Sequence, residues 1–440
     1  MSTPSNLSKV VIIGAGPAGL LLAHYLLQRG RYRVEIYERR SHPENTAKEN
    51  RTFPISLQKR GQNAIQKIPG LADAIAQASV FCNGTSIHSQ KRRTRQVNRK
   101  IPTQTIDRFL LVKTLLQHLQ NSYDSQLLKI SFDCKCVNID EKAKQITLQS
   151  QLEDLQIKES IVDYDILVGA DGSRSYVREY LIANLGWECE ITYTPDDYKS
   201  IYFQRINPHT GFELAANNIH ASGMGEKIRV ILVPQPDDKL NGVIIFDASE
   251  NPFTKFTSKE EIIDFFERNF PCFAPLIPDT EAETLLTRPP AKVLTVKCDR
   301  AHHGDSILLI GDALHAVSPS IGQGCNSALE DALIFAQLLD KNSDNWHQTL
   351  TEFSQQRIPD VLALHKLSNY ALPRNKLLAG EFFIRLTLTR TLHRFFPKFV
   401  RPFVFDLVMD TDMPYSHVLK ISEKWINKVE KSMQFAMRNS

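Results

Sequence analysis

The sequence predicts an α/β protein, a parallel sheet covered by helices, interrupted by an inserted β-sheet and followed by a helical C-terminal region. Three observations predict it. A branched apolar run, Val10-Val-Ile-Ile13, passes through Gly14-Ala-Gly16-Pro-Ala18-Gly19 into an apolar segment over residues 20–27, the pattern of a buried strand, a tight turn and a helix. Far downstream a second apolar run, Ile307-Leu-Leu-Ile310, ends in Gly311-Asp312. Between the two, residues 181–290 are rich in short strand-like segments such as Ile201-Tyr-Phe203 and Val243-Ile-Ile-Phe246.

The first motif is Rossmann-type. Gly14 permits the tight turn, Gly16 lets backbone approach a pyrophosphate, and Gly19 lets helix pack on strand, while the helix N-terminus presents free N–H groups to phosphate. The acidic residue expected about twenty positions on is Glu38, which ends Val34-Glu-Ile-Tyr-Glu38 and is placed to accept from ribose hydroxyls. A carboxylate there repels a 2′-phosphate, so the site suits FAD or NAD rather than NADP. Ala18 and Arg39 border these groups and are counted with them as cofactor-binding candidates. Taken with Gly311-Asp312, the motif points to FAD.

Composition narrows the class. With 440 residues, 42% hydrophobic and 23% charged, the chain has the make-up of a soluble protein of two or three domains. A dispersed net charge of +4 excludes nucleic-acid binding. Seven cysteines without a CxxC or a Cys/His cluster argue for reduced thiols, a cytosolic compartment and no metal site. Cys134 and Cys136 read as core residues on one face of a strand. The polar residues 1–7 predict no signal peptide, no apolar run approaches a membrane span, and the expected localisation is cytoplasmic.

The elements then follow in order. Strand, helix and strand occupy residues 9–38, a polar loop covers 41–50, and helices cover 57–68 and 71–78 around Pro69-Gly70. Residues 80–105 alternate in short segments and contain the basic stretch from Lys91 to Lys100, read as a solvated hairpin tip rather than an anion-attracting patch. A helix follows over 108–119 and a hairpin over 130–148. The nucleotide domain is thus divided into residues 1–78, 106–180 and 291–375, with substrate-domain strands at 79–105 and 181–290 and a helical region at 376–440.

A third motif lies between the other two: Tyr164-Asp-Ile-Leu-Val-Gly169-Ala-Asp171-Gly172-Ser173-Arg174-Ser175-Tyr-Val177-Arg178, an apolar strand, a turn at Asp171-Gly172 and a helix starting at Ser173. The three motifs in this order resemble the FAD-dependent aromatic hydroxylases of the p-hydroxybenzoate hydroxylase fold. Within that group, the segments 50–61, Ile87-His88-Ser89, Gly322-Gln323-Gly324-Cys325-Asn326 and Arg357-Ile-Pro-Asp360 are most similar to kynurenine 3-monooxygenases.

The resemblance implies that Asp312 holds a ribityl hydroxyl of FAD, and that Arg51 and Arg108 reach its pyrophosphate and ribityl region, with surface ion pairs as their alternative role. It implies that the segment from Pro319 through Gly322, Gly324 and Cys325 to Asn326 runs past the isoalloxazine ring, with a helix over 326–339 offering N–H groups to N1 and O2. Asp171 either contacts NADPH or orients its turn, and His315 reads as a packing or capping residue. The implied reaction is monooxygenation: NADPH (or NADH) reduces FAD, O2 adds at flavin C4a, and the hydroperoxide transfers OH to an electron-rich ring.

The substrate side departs from the family. Kynurenine hydroxylases anchor the substrate carboxylate with an Arg two residues before the Ile-His-Ser segment, where this chain has Thr85; a Tyr gives way to Pro102-Thr103, and an Asn to the segment Leu378-Ala-Gly380. Tyr415 is the one substrate-contacting counterpart. The expected substrate is therefore a small aromatic or polycyclic molecule other than kynurenine. The C-terminal helices are read as packing over its pocket, with weak membrane association as the alternative and no transmembrane segment. The expected assembly is a monomer or homodimer. Competing functions are a flavin-dependent prenyl or isoprenoid reductase and a non-catalytic flavin-binding interaction protein.

Overall fold

The computed structural model describes residues 7–45, 53–91, 93–151, 157–224, 226–373 and 375–438. Arg51, expected to reach the cofactor, lies outside the described residues, as does Arg92 of the basic stretch.

The chain opens with β1 (Ser8–Ile13), α1 (Pro17–Gln28) and β2 (Tyr32–Tyr37), then β3 (Pro54–Leu57), α2 (Lys59–Gln66) and α3 (Leu71–Gln77). The long hairpin β4 (Val80–His88) and β5 (Thr94–Asp107) leads into α4 (Arg108–Ser122) and β6 (Leu128–Ser131). Three antiparallel strands, β7 (Cys134–Asp140), β8 (Gln145–Gln151) and β9 (Ile157–Asp163), form a small sheet before β10 (Ile166–Gly169) and α5 (Tyr176–Leu185). The central region is β11 (Cys189–Gln204), β12 (Asn218–Ser222), β13 (Arg229–Gln235), β14 (Lys239–Asp247), α6 (Lys259–Asn269), α7 (Asp279–Thr287) and β15 (Ala291–Cys298). The remainder is β16 (His302–His303), β17 (Ile307–Leu309) and a helical series: α8 (Asp312–His315), α9 (Gly324–Lys341), α10 (Trp346–Tyr370), α11 (Lys376–Phe395), α12 (Val404–Asp410) and α13 (Tyr415–Arg438).

Two large sheets result. The first runs β16-β17-β10-β1-β2-β6, with β6, β2, β1, β10 and β17 parallel, so the strands carrying all three motifs lie side by side. Its strands are buried on both faces, which is why Val10 to Ile13 is continuously apolar and at most 5% exposed. The second sheet, β15-β11-β14-β13-β12-β4-β5-β3, draws in β3 and β15 from segments that the sequence division placed with the nucleotide domain. Residues 128–131 likewise join the parallel sheet, and the hairpin expected there begins at Cys134.

Three cores hold the molecule together. The parallel sheet packs on α1, α4 and α9. The large sheet is backed by α6 and α7, two helices inside the strand-rich region; Phe265 and Phe266 of α6, with Phe270 and Phe273 of the segment after it, share a core with Ile244 and Phe246. Each such side chain contributes roughly 1.5–3 kcal/mol by leaving water. A third core joins α10, α12 and α13 around Tyr415, Trp425 and Ile426.

α11 departs from the expected packing role: it buries only Phe382 and Leu386 and leaves Leu377, Ile384, Leu388 and Phe395 exposed. Cys136 is a core residue as expected, and Cys134 packs half-buried beside it. The basic stretch is not simply a solvated tip. Arg95 stacks over Phe383 of α11 at 5.0 Å and Arg99 pairs with Asp410 of α12 at 2.9 Å.

Candidate cofactor and substrate site

The glycine loop is shaped by its neighbours in the sheet. Gly14 has φ +107°, and a Cβ there would lie 2.5 Å from the Ala170 carbonyl oxygen, so the turn excludes any side chain. Gly16 is different: its nearest neighbour to a Cβ is the same oxygen at 3.9 Å. Protein packing therefore does not demand glycine at 16. Glu38 closes the loop, accepting from Ala15 N–H at 2.9 Å and Arg40 N–H at 2.9 Å, which aims its carboxylate at the mouth of α1.

The two motifs far apart in sequence meet here. A Cβ on Gly311 would lie 3.0 Å from Ala18 Cβ and 3.3 Å from Ala328 Cβ, so the loop after β17 is wedged between α1 and α9. Ala18 is a buried packing residue of α1. Gly311 adopts φ +61° and leaves Asp312, at the first turn of α8, exposed toward the same cleft.

What holds that loop is a buried ionic network around Asp331. Its Oδ2 accepts from Gly311 N–H at 2.7 Å and lies 2.7 Å from His315 Nε2, and its Oδ1 accepts from Arg357 Nε at 2.6 Å. Burial raises the Asp331 carboxyl, but the His315 and Arg357 charges and these hydrogen bonds outweigh it and hold it below the usual carboxylate range. Arg357 also pairs with Glu330 and Asp360, both at 3.0 Å. His315 is fully buried and serves packing. Asp331 was not singled out by the sequence, because its position inside an ordinary amphipathic helix carries no local motif.

The segment 319–326 is fastened from three sides. α9 begins at Gly324, two residues earlier than expected, so the first free N–H groups belong to Gly324, Cys325 and Asn326. The Asn326 side chain is not available to a cofactor: Oδ1 accepts from Gln58 N–H at 2.7 Å and Nδ2 donates to Ser56 O at 2.8 Å and Gly322 O at 2.9 Å. Gly322 turns with φ +62°, and Pro319 starts the preceding 3-10 turn. Tyr415, expected to touch substrate, is 0% exposed; its hydroxyl donates to Gln323 Oε1 at 2.7 Å and its ring lies 3.9 Å under the Arg60 guanidinium. It positions the segment.

Asp171 also has a structural task. It accepts from Tyr176 N–H at 2.7 Å and caps α5, which starts at Tyr176 with Ser175 as its N-cap rather than at Ser173. Arg178, 1% exposed, donates to Ala313 O at 2.9 Å and Ser173 O at 2.7 Å, tying the third motif to the second.

The cationic side of the cleft is formed by Arg40 and Arg108. Among the described residues neither forms an ion pair with a carboxylate within 4.0 Å. Packing against protein atoms and the adjacent Arg108 and Arg39 charges push the Arg40 guanidinium down, against the pull of Glu38. Burial and the Asp312 charge push the Cys325 thiol up to about 12, with Arg108 opposing. That coupling brings Arg108, Asp312 and Cys325 into one neighbourhood. A glycine with open space before it, a ribose-type carboxylate and two cations without an anion fit a dinucleotide flavin.

On the far side, Thr85 of β4 lies half-buried opposite Val97 of β5, whose side chain packs against the third core. Arg99, on the same strand and nearly buried, is consumed by Asp410. Met409, next in the chain to Asp410, contacts Gln323 beside the start of α9. A cavity of about 280 Å³ opens along this face, lined by Arg95, Val97, Phe383, Leu386 and Arg390 among others.

The family model described as an FAD binding domain matches residues 8–359. The chain belongs to the FAD binding domain family. Kynurenine 3-monooxygenase of Phaeosphaeria nodorum is 27% identical over 94% of this chain and 88% of its own length. The enzyme of Sus scrofa is 27% identical over 96% and 88%, and that of Flavobacterium psychrophilum 25% over 94% and 91%. With these relatives, this family member is an FAD-dependent aromatic monooxygenase of the kynurenine 3-monooxygenase type. Among solved structures, 2-methyl-3-hydroxypyridine-5-carboxylic acid oxygenase superposes with TM-score 0.67 at 21% identity, covering 83% of this chain and 91% of that one. P. aeruginosa PqsL in complex with 2-aminobenzoylacetate superposes with TM-score 0.64 at 20% identity, covering 86% and 100%. These likenesses establish the shared fold.

Proposed function

We propose that the protein hydroxylates an aromatic or polycyclic small molecule other than kynurenine, using NADPH or NADH as reductant and O2 as co-substrate. FAD, when bound, supplies the redox chemistry, taking up the reductant's electrons and delivering them to oxygen. The chain's own residues bind and orient. The Gly16 loop with the start of α1, Arg40 and Arg108 would hold the pyrophosphate, Glu38 the ribose, and Asp312 the ribityl chain. The free N–H groups of Gly324 and Cys325 would favour negative charge on the ring edge they face. The three C-terminal elements α11, α12 and α13 cover this side and keep water from it.

The observation that carries the substrate reading is the absence of a guanidinium at position 85. Thr85 stands where the resembling enzymes place their carboxylate-binding Arg, and the nearby Arg99 is already neutralised by Asp410. A bidentate guanidinium clamp provides charge-assisted hydrogen bonds of roughly 1.5–3 kcal/mol each. Its loss favours a ligand held by apolar contact. An NADPH-oxidation screen against aromatic metabolites, with mass spectrometry for the gain of one oxygen, tests this; stoichiometric 3-hydroxykynurenine from kynurenine at high efficiency would overturn it. Product formed without oxygen would instead favour a reductase.

The exposed face of α11 supports a second role for the C-terminal region. Leu388, Phe395 and Phe399 stand beside Arg394, Lys398 and Arg401, a pairing of apolar and cationic groups suited to an anionic lipid surface. Among the described residues no helix is long and apolar enough to cross a membrane, so the contact proposed is peripheral. Co-sedimentation with anionic but not neutral vesicles is the expected result.

A further inference from the structure

We infer that Cys189 and Cys298 form a redox-active dithiol that closes into a cross-strand disulfide between the strands joining the two large sheets. The two residues lie directly opposite each other where β11 pairs with β15. Asp299 N–H donates to Glu188 O at 3.0 Å, which makes 188 and 299 the hydrogen-bonded pair and 189 and 298 the adjacent non-hydrogen-bonded one. In such pairs the Cα atoms approach to about 4.5 Å, inside the disulfide window of about 4.4–6.8 Å. The two sulfurs are 2.7 Å apart, so closure needs no backbone movement.

The two thiols differ in access and in acidity. Cys298 is 2% exposed, while Cys189 is half-buried and open to a small oxidant. The hydrogen bond with Cys298 lowers the Cys189 thiol, its burial opposes this, and the Arg178 charge adds to the lowering. Cys298 is pushed up by the same contact and by burial. Cys189 is thus the attacking sulfur and Cys298 the resolving one. Cys82 faces Thr105, and Cys134 and Cys136 follow one another along a single strand.

The oxidant is hydrogen peroxide, which a flavin monooxygenase itself releases when reduced flavin meets oxygen without productive substrate. The Cys189 thiolate attacks one peroxide oxygen, the O–O bond breaks, and hydroxide leaves to take a proton, giving a sulfenic acid. The Cys298 sulfur then attacks the Cys189 sulfur and gives up its proton; the S–S bond forms and the sulfenic oxygen departs as water. Two thiols lose two electrons, and peroxide becomes two waters.

The position gives the bond a consequence. Cys189 follows α5, whose Arg178 holds the loops at Ser173 and Ala313, and Cys298 precedes the strands that end in Gly311-Asp312. Oxidation therefore staples β11 to β15 within the substrate sheet, at the point where both strands leave the FAD-binding layer.

The test is peroxide treatment of the holoenzyme, followed by denaturing maleimide labelling and peptide mapping. We expect five of the seven thiols to remain, a Cys189–Cys298 cross-linked peptide, reversal by dithiothreitol, and a higher Tm for the oxidised form. C134S should keep the cross-link, and C298S should instead leave Cys189 as a dimedone-reactive sulfenic acid. Wild-type protein in which other cysteines oxidise while Cys189 and Cys298 stay free thiols, or in which Cys189 is overoxidised without cross-linking, would overturn the inference.

Discussion

Asp331 Oδ2 lies 2.7 Å from the backbone nitrogen of Gly311 and fixes, from within α9, the positive-φ glycine that presents Asp312 to the cofactor cleft. Sequence distance and function are joined here by one buried carboxylate. Asp331→Asn replaces a charge shared by His315 and Arg357 with a neutral amide. Breaking a buried pair costs on the order of 3–5 kcal/mol, and the arginine's other acidic partners place the expected loss near the lower end of that range. Denaturant unfolding should show that loss together with reduced flavin content per protein. Wild-type flavin content in the variant would remove Asp331 from cofactor positioning.

Gly14 and Gly16 should separate folding from binding. Gly14→Ala forces a methyl against the Ala170 carbonyl at φ +107° and should destabilise the fold by about 1–3 kcal/mol. Gly16→Ala meets only open space and should change stability by less than roughly 0.5 kcal/mol. It should nevertheless weaken FAD at least about tenfold, close to 1.4 kcal/mol. Flavin titration followed by fluorescence, beside thermal melts of both variants, checks the pair; equal FAD affinity in Gly16→Ala and wild type refutes the assignment of the loop.

The Arg99–Asp410 pair predicts a specificity change. Asp410→Asn frees a nearly buried guanidinium, and the unpaired charge should destabilise the protein by about 3 kcal/mol. In return, aromatic carboxylates should bind more tightly than to wild type. Thr85→Arg, which adds a cation on the same face without uncovering one, should raise carboxylate affinity with less loss of stability. Equilibrium binding of an aromatic acid and of its amide decides it: no preference for the acid in either variant excludes this face from the substrate site.

Acid should weaken the fold before the carboxylates titrate. Burial lowers His24, His88 and His365 to about 4, with His118 acting on His24, His220 on His88, and the Val296 carbonyl opposing at His365. Their unfolded values are near 6.5, so the unfolded chain binds more protons between the two. Stability is therefore fully present above about pH 6.5 and is lost as the pH falls toward 4, by up to roughly 1.4 kcal/mol per pH unit for each histidine. Urea unfolding at a series of pH values should show this slope, reduced in His365→Gln. A flat profile between pH 7 and pH 5 contradicts it.

Much of this was legible in the chain. The glycine turn, Glu38, Gly311-Asp312 and the Asp171 turn were readable because each rests on local geometry: a strand end, a positive φ or a helix start can be inferred from a few neighbouring residues. The strand-rich centre was readable from alternation. Asp331 and Arg99 were not, since nothing in an amphipathic helix or a basic hairpin says which charge will be buried and with whom. The two helices behind the large sheet were missed for a related reason: their aromatic residues bury against strands that are distant in sequence.

Tyr415 and Asn326 show what residue type alone leaves open. Their residue types suit a binding site, yet their polar atoms are taken up by Gln323, Gln58, Ser56 and Gly322, partners that only the folded chain brings near. Cofactor class, the order of motifs and the parallel sheet followed from sequence alone, because short-range sterics and periodicity suffice for them. Which side chains face the ligand, which ones hold the loops, and which two of seven thiols touch were decided by tertiary packing, because burial, ion pairing and cross-strand register depend on residues that are neighbours only in space.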